Sequence, residues 1–306
     1  MKEQNGQNEM IPRNVYMVFE YHEYDLTGIL QSPEIRLTQD QIKSWSYQLL
    51  EGTHYMHLNK IIHRDLKASN ILISKSGQLK IADLGLARSW NAEMKNLTNG
   101  VVTRWYRPIE LLLGARKYSP KIDMWSVGCI IAEMIRRNVL LKGGDSEFSQ
   151  LNVIFQTCGH PDVNDWPDIR RICPLWSSFE PAKAEKLLPN RLAKVLTQRL
   201  PNPEWMTDNA VVLIQNLLTH NPEKRWSASE GLRAEYFWET PAVKMAHELS
   251  MELGVEHVHE LKISNVYAVC LKGGKVCNCE SCEEVRSRIR SKGLTFEEWW
   301  NNGRIL

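Results

Sequence analysis

The sequence predicts a mainly α-helical domain carrying one small β element, and three observations lead to that expectation. A capping box near residue 40 opens a long apolar run at helical spacing. Two short apolar strands flank a glycine-containing turn near residue 77. Beyond residue 119, capped apolar stripes follow one another with no further strand alternation. Taken in order, residues 1–14 are polar, rich in Asn and Gln and without a period, so they read as a loop or frayed end. Residues 15–21 are aromatic and β-branched and read as a buried strand. The long helix starts at Thr38 with Gln41 as its capping partner, and Ile42, Trp45, Leu49, Leu50 and Met56 mark its apolar face. Ile71-Leu72-Ile73 and Leu79-Lys80-Ile81 are the two strands, joined by Lys75-Ser76-Gly77-Gln78. Ser119-Pro120 then supplies a cap and a first-turn proline ahead of Ile122, Trp125, Ile130, Ile131 and Met134. Asp145 is expected to cap a helix bearing Leu151, Ile154 and Phe155, which Gly159 and Pro161 stop. A further stripe covers residues 211–218, and Ser227 with Glu230 forms a second capping box.

Composition narrows the function classes. The 306 residues carry 38 Lys plus Arg against 36 Asp plus Glu, a net charge of 38 − 36 = +2. That balance gives no electrostatic reason to expect direct nucleic-acid binding or an anionic membrane as partner. Apolar runs such as Cys129-Ile130-Ile131-Ala132 fall far short of the ~20 residues a bilayer span takes. The first eight residues have no apolar signal-peptide region. Seven cysteines, three of them scattered singly among apolar residues, point to a reducing compartment without a disulfide framework.

The chemistry-bearing residues cluster around the β element. His63-Arg64-Asp65-Leu66-Lys67-Ala68-Ser69-Asn70 lies between the long helix and the first short strand, and Asp83-Leu84-Gly85 follows the second strand. Strands fix the direction of such loops while the loops admit substrate. Phosphoryl transfer needs one carboxylate to accept a hydroxyl proton, a cation to steady the moving group, and a carboxylate and an amide to hold Mg²⁺. Asp65, Lys67, Asp83 and Asn70 fit those four roles.

This spacing resembles the catalytic loop and metal-binding motif of eukaryotic protein kinases. Further residues agree. Pro108-Ile109-Glu110 and the Arg225 of Asn221-Pro222-Glu223-Lys224-Arg225 match a Glu–Arg pair that is buried in that family, and Asp123 matches a carboxylate that holds the catalytic-loop backbone. Residues 98–107, Thr98-Asn99-Gly100-Val101-Val102-Thr103-Arg104-Trp105-Tyr106-Arg107, closely resemble the activation segment of cyclin-dependent kinases. The run from Tyr16 to Leu30 is similar to the hinge of their transcriptional branch. The resemblance spans roughly residues 15–243 and implies a kinase hinge and C-terminal lobe there, after a polar stub of residues 1–14 and before a divergent tail, residues 244–306.

What the resemblance implies can be assigned residue by residue. Asp65, Lys67 and Thr103 are the catalytic group, with Asn70 and Asp83 as Mg²⁺ ligands. Glu20 and His22 offer backbone groups to the adenine of ATP, with Phe19 as gatekeeper, Asp25 near the ribose and Leu72 under the base. Thr98 is the phosphorylated threonine, with Arg64 and Arg88 accepting its charge. Val101, Val102 and Arg107 leave a seat for the proline after the phosphoacceptor. The family further implies a cyclin subunit, a protein substrate with Ser/Thr-Pro sites such as the RNA polymerase II C-terminal domain, and a nuclear location.

Departures from the motif are informative. The 14 residues before the hinge hold one glycine, Gly6, and one lysine, Lys2, and no G-x-G-x-x-G occurs in the chain. The expectation is therefore a fold with the N-terminal lobe largely absent and little activity for these residues alone; the alternative is a catalytically inactive kinase fragment acting as an interaction module. Leu84 replaces a Phe and is expected to fill the same core slot. Arg104 replaces an apolar residue, and Ile109 a Pro or Ala. In the neutral tail, Cys270, Cys277, Cys279 and Cys282 are either four zinc ligands or reduced thiols, and Trp299 and Trp300 read as a packing anchor.

Overall fold

A computed structural model of the chain describes residues 20–90, 104–181, 187–249, Leu253 and a short strand pair, 271–272 with 275–276. Two compact units divide it. One comprises Met1–Tyr21 and Ile263–Leu306, the other His22–Lys262. Among the described residues, no helix is long and apolar enough to cross a membrane.

In the large unit, the strand β1 (Tyr24–Asp25) leads into helix α1 (Leu26–Gln31), whose N-terminus is capped by the Asp25 carboxylate accepting from the Gly28 N–H at 2.8 Å. The strand expected over residues 15–21 is not the one found. Glu20 and Tyr21 are not in a strand, the pairing falls instead on Tyr24 and Asp25, and residues 15–19 lie outside the described residues. Helix α2 (Gln39–Leu58) begins as its capping box requires: Gln41 N–H donates to Thr38 Oγ1 at 3.2 Å, and Thr38 N–H to Gln41 Oε1 at 2.9 Å. Ile42, Trp45, Leu49 and Leu50 are buried on its inner face, while Met56 is only half-buried.

Strand β2 (Ile61–Ile62) follows, then β3 (Ile71–Ile73) and β4 (Leu79–Ile81). The expected hairpin is present, with Ile71 opposite Ile81 and Ile73 opposite Leu79. Its alternation is clean: Ile71 and Ile73 are fully buried and Leu72 faces the other way. β1 joins β3 on the other side, giving the antiparallel order β1-β3-β4. Helix α2 grips the hairpin directly. Trp45 Nε1 and Gln48 Nε2 both donate to Gly77 O at 3.2 Å, and Gln48 Oε1 accepts from Leu79 N–H at 2.8 Å. Gly77 adopts φ +78°, and a Cβ there would lie 3.1 Å from the Ala246 carbonyl oxygen, so the turn requires glycine. Strand β5 (Arg88–Ser89) pairs with β2, Ile62 facing Arg88.

The rest is helical: α3 (Ile109–Leu112), α4 (Lys121–Arg136), α5 (Glu147–Cys158), α6 (Ile169–Ile172), α7 (Leu192–Leu196), α8 (Asp208–Leu217) and α9 (Ala228–Leu232). The small unit contributes the paired strands β6 (Leu271–Lys272) and β7 (Lys275–Val276). Helix α4 is buried on every side from Ile122 to Ile135, as befits a helix at the centre of a core. Helices α2 and α8 pack against it. At the α8 contact, a Cβ on Gly128 would come within 2.9 Å of Leu217 Cβ, so glycine sets the approach of those helices. The α4 start differs slightly from expectation: Pro120 already has helical angles, and Ser119 Oγ accepts from Lys121 N–H only at 3.4 Å. The α5 cap is Ser146, which accepts from Ser149 N–H at 3.1 Å, not Asp145, because the serine is the last extended residue before the helix. Ser227 and Glu230 form the expected box on α9. Leu84 does not fill a core slot; it stands 56% exposed. Cys129, Cys158 and Cys173 are buried free thiols, whereas the four tail cysteines, Trp299 and Trp300 lie outside the described residues.

Two buried polar contacts tie these helices together. Arg225 donates from Nη1 to Glu110 Oε1 at 2.7 Å and from Nη2 to Glu110 Oε2 at 2.9 Å, with both side chains sealed from water. Lys43, also sealed, donates to Pro241 O at 2.7 Å and lies 3.7 Å from Glu239. Glu110→Ala would leave a buried guanidinium without its counter-charge and is expected to cost about 3–5 kcal/mol in urea unfolding. Asp168→Ala, which breaks an exposed pair with Arg171, is expected to cause no measurable change.

His220 stacks on the Trp125 ring, 5.9 Å between centroids, with its Nε2 at 3.0 Å from Gly159 O. Burial pushes its pKa down from 6.5 to about 4. The unfolded chain therefore binds the proton more readily, and the stability this contributes is complete above pH 6.5 and is lost as pH falls toward about 4. Thermal unfolding across that window is expected to show a fall in Tm on acidification, with a shallower slope in His220→Gln.

Candidate active site

The loop between β2 and β3 is held from below by one carboxylate. Asp123, in the first turn of α4, accepts the His63 N–H at Oδ2 and the Arg64 N–H at Oδ1, both at 2.9 Å. His57 Nε2 lies 2.9 Å from the same Oδ2, so that nitrogen carries its proton. Asp123 is 1% exposed. Its charge is tolerated there because three donors replace the lost water. Those bonds also hold Arg64 at φ +69°, a conformation that costs a non-glycine residue about 1–3 kcal/mol.

Above this anchor the four chemistry-bearing side chains are linked. Lys67 Nζ lies 3.0 Å from Asp65 Oδ2. Asn70 Nδ2 donates to Asp65 O at 2.8 Å and more weakly to Asp65 Oδ2 at 3.3 Å. The loop closes on itself through Asn70 N–H to Lys67 O at 3.0 Å. Asp83 is delivered beside it by Ala82, whose N–H donates to Asn70 O at 2.8 Å. His63 bridges the two loops. Its Nδ1 accepts from Asp65 N–H at 3.2 Å, which leaves the Nε2–H to donate to Ala82 O at 3.0 Å. Asp83 sits at φ +63° and turns its Oδ1 back to its own Gly85 N–H at 3.2 Å, the local bond by which aspartate tolerates that region.

The remaining expected residues are placed as follows. Leu72 is half-buried on β3, opposite Asp25 of β1 and Lys80 of β4. Asp25 is buried and occupied as the α1 cap. His22 is buried and Glu20 exposed. Arg64 is buried, and Arg88 is exposed on β5 opposite Ile62. Burial raises the Tyr118 phenol pKa, Arg64 and Arg88 lower it and Asp123 raises it. Phe19, Thr98, Val101, Val102 and Thr103 lie outside the described residues.

Two residues escaped the sequence reading. His63 was legible only as part of a motif, and its bridging role depends on where Ala82 lies. His57 gave no signal, since one histidine on a helix is ordinary until Asp123 is seen beneath it.

Among the described residues, no three His, Cys, Asp or Glu side chains gather to hold a metal by themselves. The donors present are of another kind. Asn70 uses its Nδ2 as donor to Asp65, so the oxygen is the atom of its amide able to ligate a cation, and exposed Asp83 has a second carboxylate oxygen besides the one that accepts from Gly85. One amide and one carboxylate suit an Mg²⁺ ion that takes its other ligands from phosphates and water.

The protein kinase domain family matches residues 6–237. Cyclin-dependent kinase C-1 of Arabidopsis thaliana is 46% identical over 235 residues, 76% of this chain and 44% of that protein. Cyclin-dependent kinase 12 of Caenorhabditis elegans is 44% identical over 220 residues, 72% of this chain and 29% of that protein. Among solved structures, the yeast RNA Pol II CTD kinase CTDK-1 complex superposes with a TM-score of 0.68 at 38% identity, covering 74% of this chain and 72% of that one. The CAK complex from Chaetomium thermophilum bound to ATP-gamma-S gives 0.67 at 33% identity, covering 75% and 69%. The chain spans less than half the length of these curated relatives. With a family match over most of its length and the kinase fold, the chain belongs to the protein kinase family.

Asp123→Asn keeps the shape but removes one acceptor. Because hydrogen bonds to a charged group contribute about 1.5–3 kcal/mol, amide hydrogen exchange at His63 or Arg64 is expected to accelerate at least ~10-fold, with distant helices unchanged.

Proposed function

We propose that this chain serves a serine/threonine protein kinase of cyclin-dependent type, moving the γ-phosphate of ATP to Ser/Thr-Pro sites. The observation that carries this is the linked set Asp65, Lys67 and Asn70, with Asp83 presented beside it by Ala82. Mg-ATP, when bound, supplies the phosphoryl group and the positive charge that offsets its oxygens. The chain does the rest by positioning. Asp65 Oδ2 would accept the proton of the substrate hydroxyl, Lys67, 3.0 Å from that oxygen, would steady the transferring group with its ammonium, and Asn70 and Asp83 would hold Mg²⁺ through oxygen. When ATP is bound, Leu72 would serve the base, Asp25 the ribose and the backbone of Glu20 and His22 the adenine edge, with Phe19 as gatekeeper and Thr103 in the catalytic group, as the kinase resemblance implies. Phosphate on Thr98 would be received by Arg64 and Arg88, as the kinase resemblance implies.

A cyclin partner is supported by the names of the relatives, and the polymerase C-terminal repeat as substrate, in the nucleus, by the yeast CTD kinase among the structural neighbours. Assayed with Mg-ATP, a cyclin and a Ser-Pro repeat peptide, Asp65→Asn is expected to lower phosphate transfer by roughly 100- to 10,000-fold while calorimetric nucleotide binding stays near its original level. Asp83→Asn is expected to weaken Mg-nucleotide binding itself. Near-full transfer by Asp65→Asn would remove the catalytic assignment. If the unsubstituted chain neither bound Mg-ATP nor transferred phosphate, it would stand instead as an interaction module.

A further inference from the structure

Helix α1 has six residues, well short of the roughly 12–15 that an isolated helix needs in water, so its neighbours must hold it. At its start the Asp25 carboxylate accepts from Gly28 N–H. At its end the last carbonyls have no partners within the helix. Arg137 supplies them. Its Nη2 donates to Ile29 O at 3.0 Å, Leu30 O at 3.2 Å and Ser32 O at 2.8 Å, and its Nη1 to Ile35 O at 2.6 Å. These acceptors stand 102 to 108 residues away in the sequence. A planar guanidinium serves several carbonyls in one fixed geometry, which a lysine ammonium does not. Arg137 itself sits at the C-cap of α4 with φ +52°, a left-handed conformation that persists in a non-glycine residue only where its surroundings over-determine it.

What α1 touches gives this contact its meaning. The helix is buried from Leu26 to Leu30 and packs against β3 and the turn Ala68–Asn70. It therefore borders the strand of Leu72 and the turn of Asn70, and Asp25 at its head stands opposite Leu72 in the β1–β3 pairing. Helix α4 thus reaches the site from both of its ends. Asp123 in its first turn holds the loop that bears Asp65, and Arg137 at its end holds the helix that Asp25 caps. Arg136 makes the same kind of contact elsewhere: its Nη1 donates to Val195 O at 2.6 Å and Leu196 O at 3.2 Å, at the end of α7.

We propose that Arg137 is a positioning residue for the nucleotide: by fixing the end of α1 it sets where Asp25 stands for the ribose relative to Leu72 for the base. The proposal rests on the kinase reading, in which Asp25 and Leu72 serve those two parts of ATP. Arg137 acts through the helix and takes no part in the transfer itself.

The test compares the unsubstituted full chain with Arg137→Ala, Arg137→Lys and Arg136→Ala, the last removing an equivalent cap from a helix away from the site. Amide hydrogen exchange reports on α1 and α7, and calorimetry on binding of Mg-ATP and of its 2′-deoxy and 3′-deoxy analogues. Arg137→Ala is expected to speed exchange in α1 and to weaken Mg-ATP by about 3- to 10-fold, the worth of one displaced hydrogen bond. It is also expected to narrow the preference for ATP over a deoxy analogue, with Arg137→Lys in between. Arg136→Ala is expected to speed exchange in α7 alone and to leave both binding readouts unchanged. A general loss of stability would weaken ATP and its analogues alike, so the preference separates positioning from mere folding. Should Arg137→Ala fail to fold, Arg137→Lys carries the same comparison. Faster exchange in α1 with ATP affinity and preference unchanged overturns the proposal and leaves the kinase reading standing. Failure of the unsubstituted chain to bind Mg-ATP, with α1 protected from exchange, overturns the kinase reading and the proposal with it.

Discussion

The site depends on one buried carboxylate. Asp123 projects from a helix that is otherwise apolar and takes two consecutive backbone N–H groups of the loop that bears Asp65. Without it, those amides would be buried beneath the loop with no acceptor, and the left-handed Arg64 would have nothing to hold it. The arrangement converts the rigidity of the α4 core into rigidity of a loop that must stay open to substrate. His57 completes the carboxylate's shell, so a charge at the centre of the lobe is matched by three donors.

From that anchor, order passes outward by short bonds between backbone and side chain. His63 carries it from the Asp65 N–H to the Ala82 carbonyl, and Asn70 carries it from its own carbonyl back to Ala82. The two loops thus meet at one residue, Ala82, through both its N–H and its carbonyl, and Asp83 follows directly after it. The hairpin beneath is set by α2, through Trp45 and Gln48 on the Gly77 turn. Nothing in this chain of bonds uses the charges that the proposed chemistry needs. Asp83 is exposed and Lys67 half-buried, while Asp65 is buried with its Oδ2 near both Lys67 and Asn70.

The ion pair between Glu110 and Arg225 plays a different part. It joins α3 to the segment before α9 across the lobe, and its bidentate geometry ties down the end of the segment that begins at Arg104. Residues 104–107 run into that fixed point, with Tyr106 and Arg107 buried.

Much of this was legible in the residues themselves, for reasons of short range. Capping boxes at Thr38 and Ser227, the glycine turn at residue 77 and the alternation of Ile71, Leu72 and Ile73 are local patterns whose energetics close within a few residues. The spacing of Asp65, Lys67, Asn70 and Asp83 announced the chemistry because that chemistry demands those groups together. Local reasoning erred where neighbours compete: Ser146 displaced Asp145 as the cap, the first strand fell on Tyr24 and Asp25, and Leu84 faced solvent. What only the tertiary structure decided was the partner of each buried polar group. The tautomer of His63 and the service of His57 to Asp123 depend on oxygens 19 and 66 residues away, and no local pattern encodes which oxygen will be within reach once the core has packed.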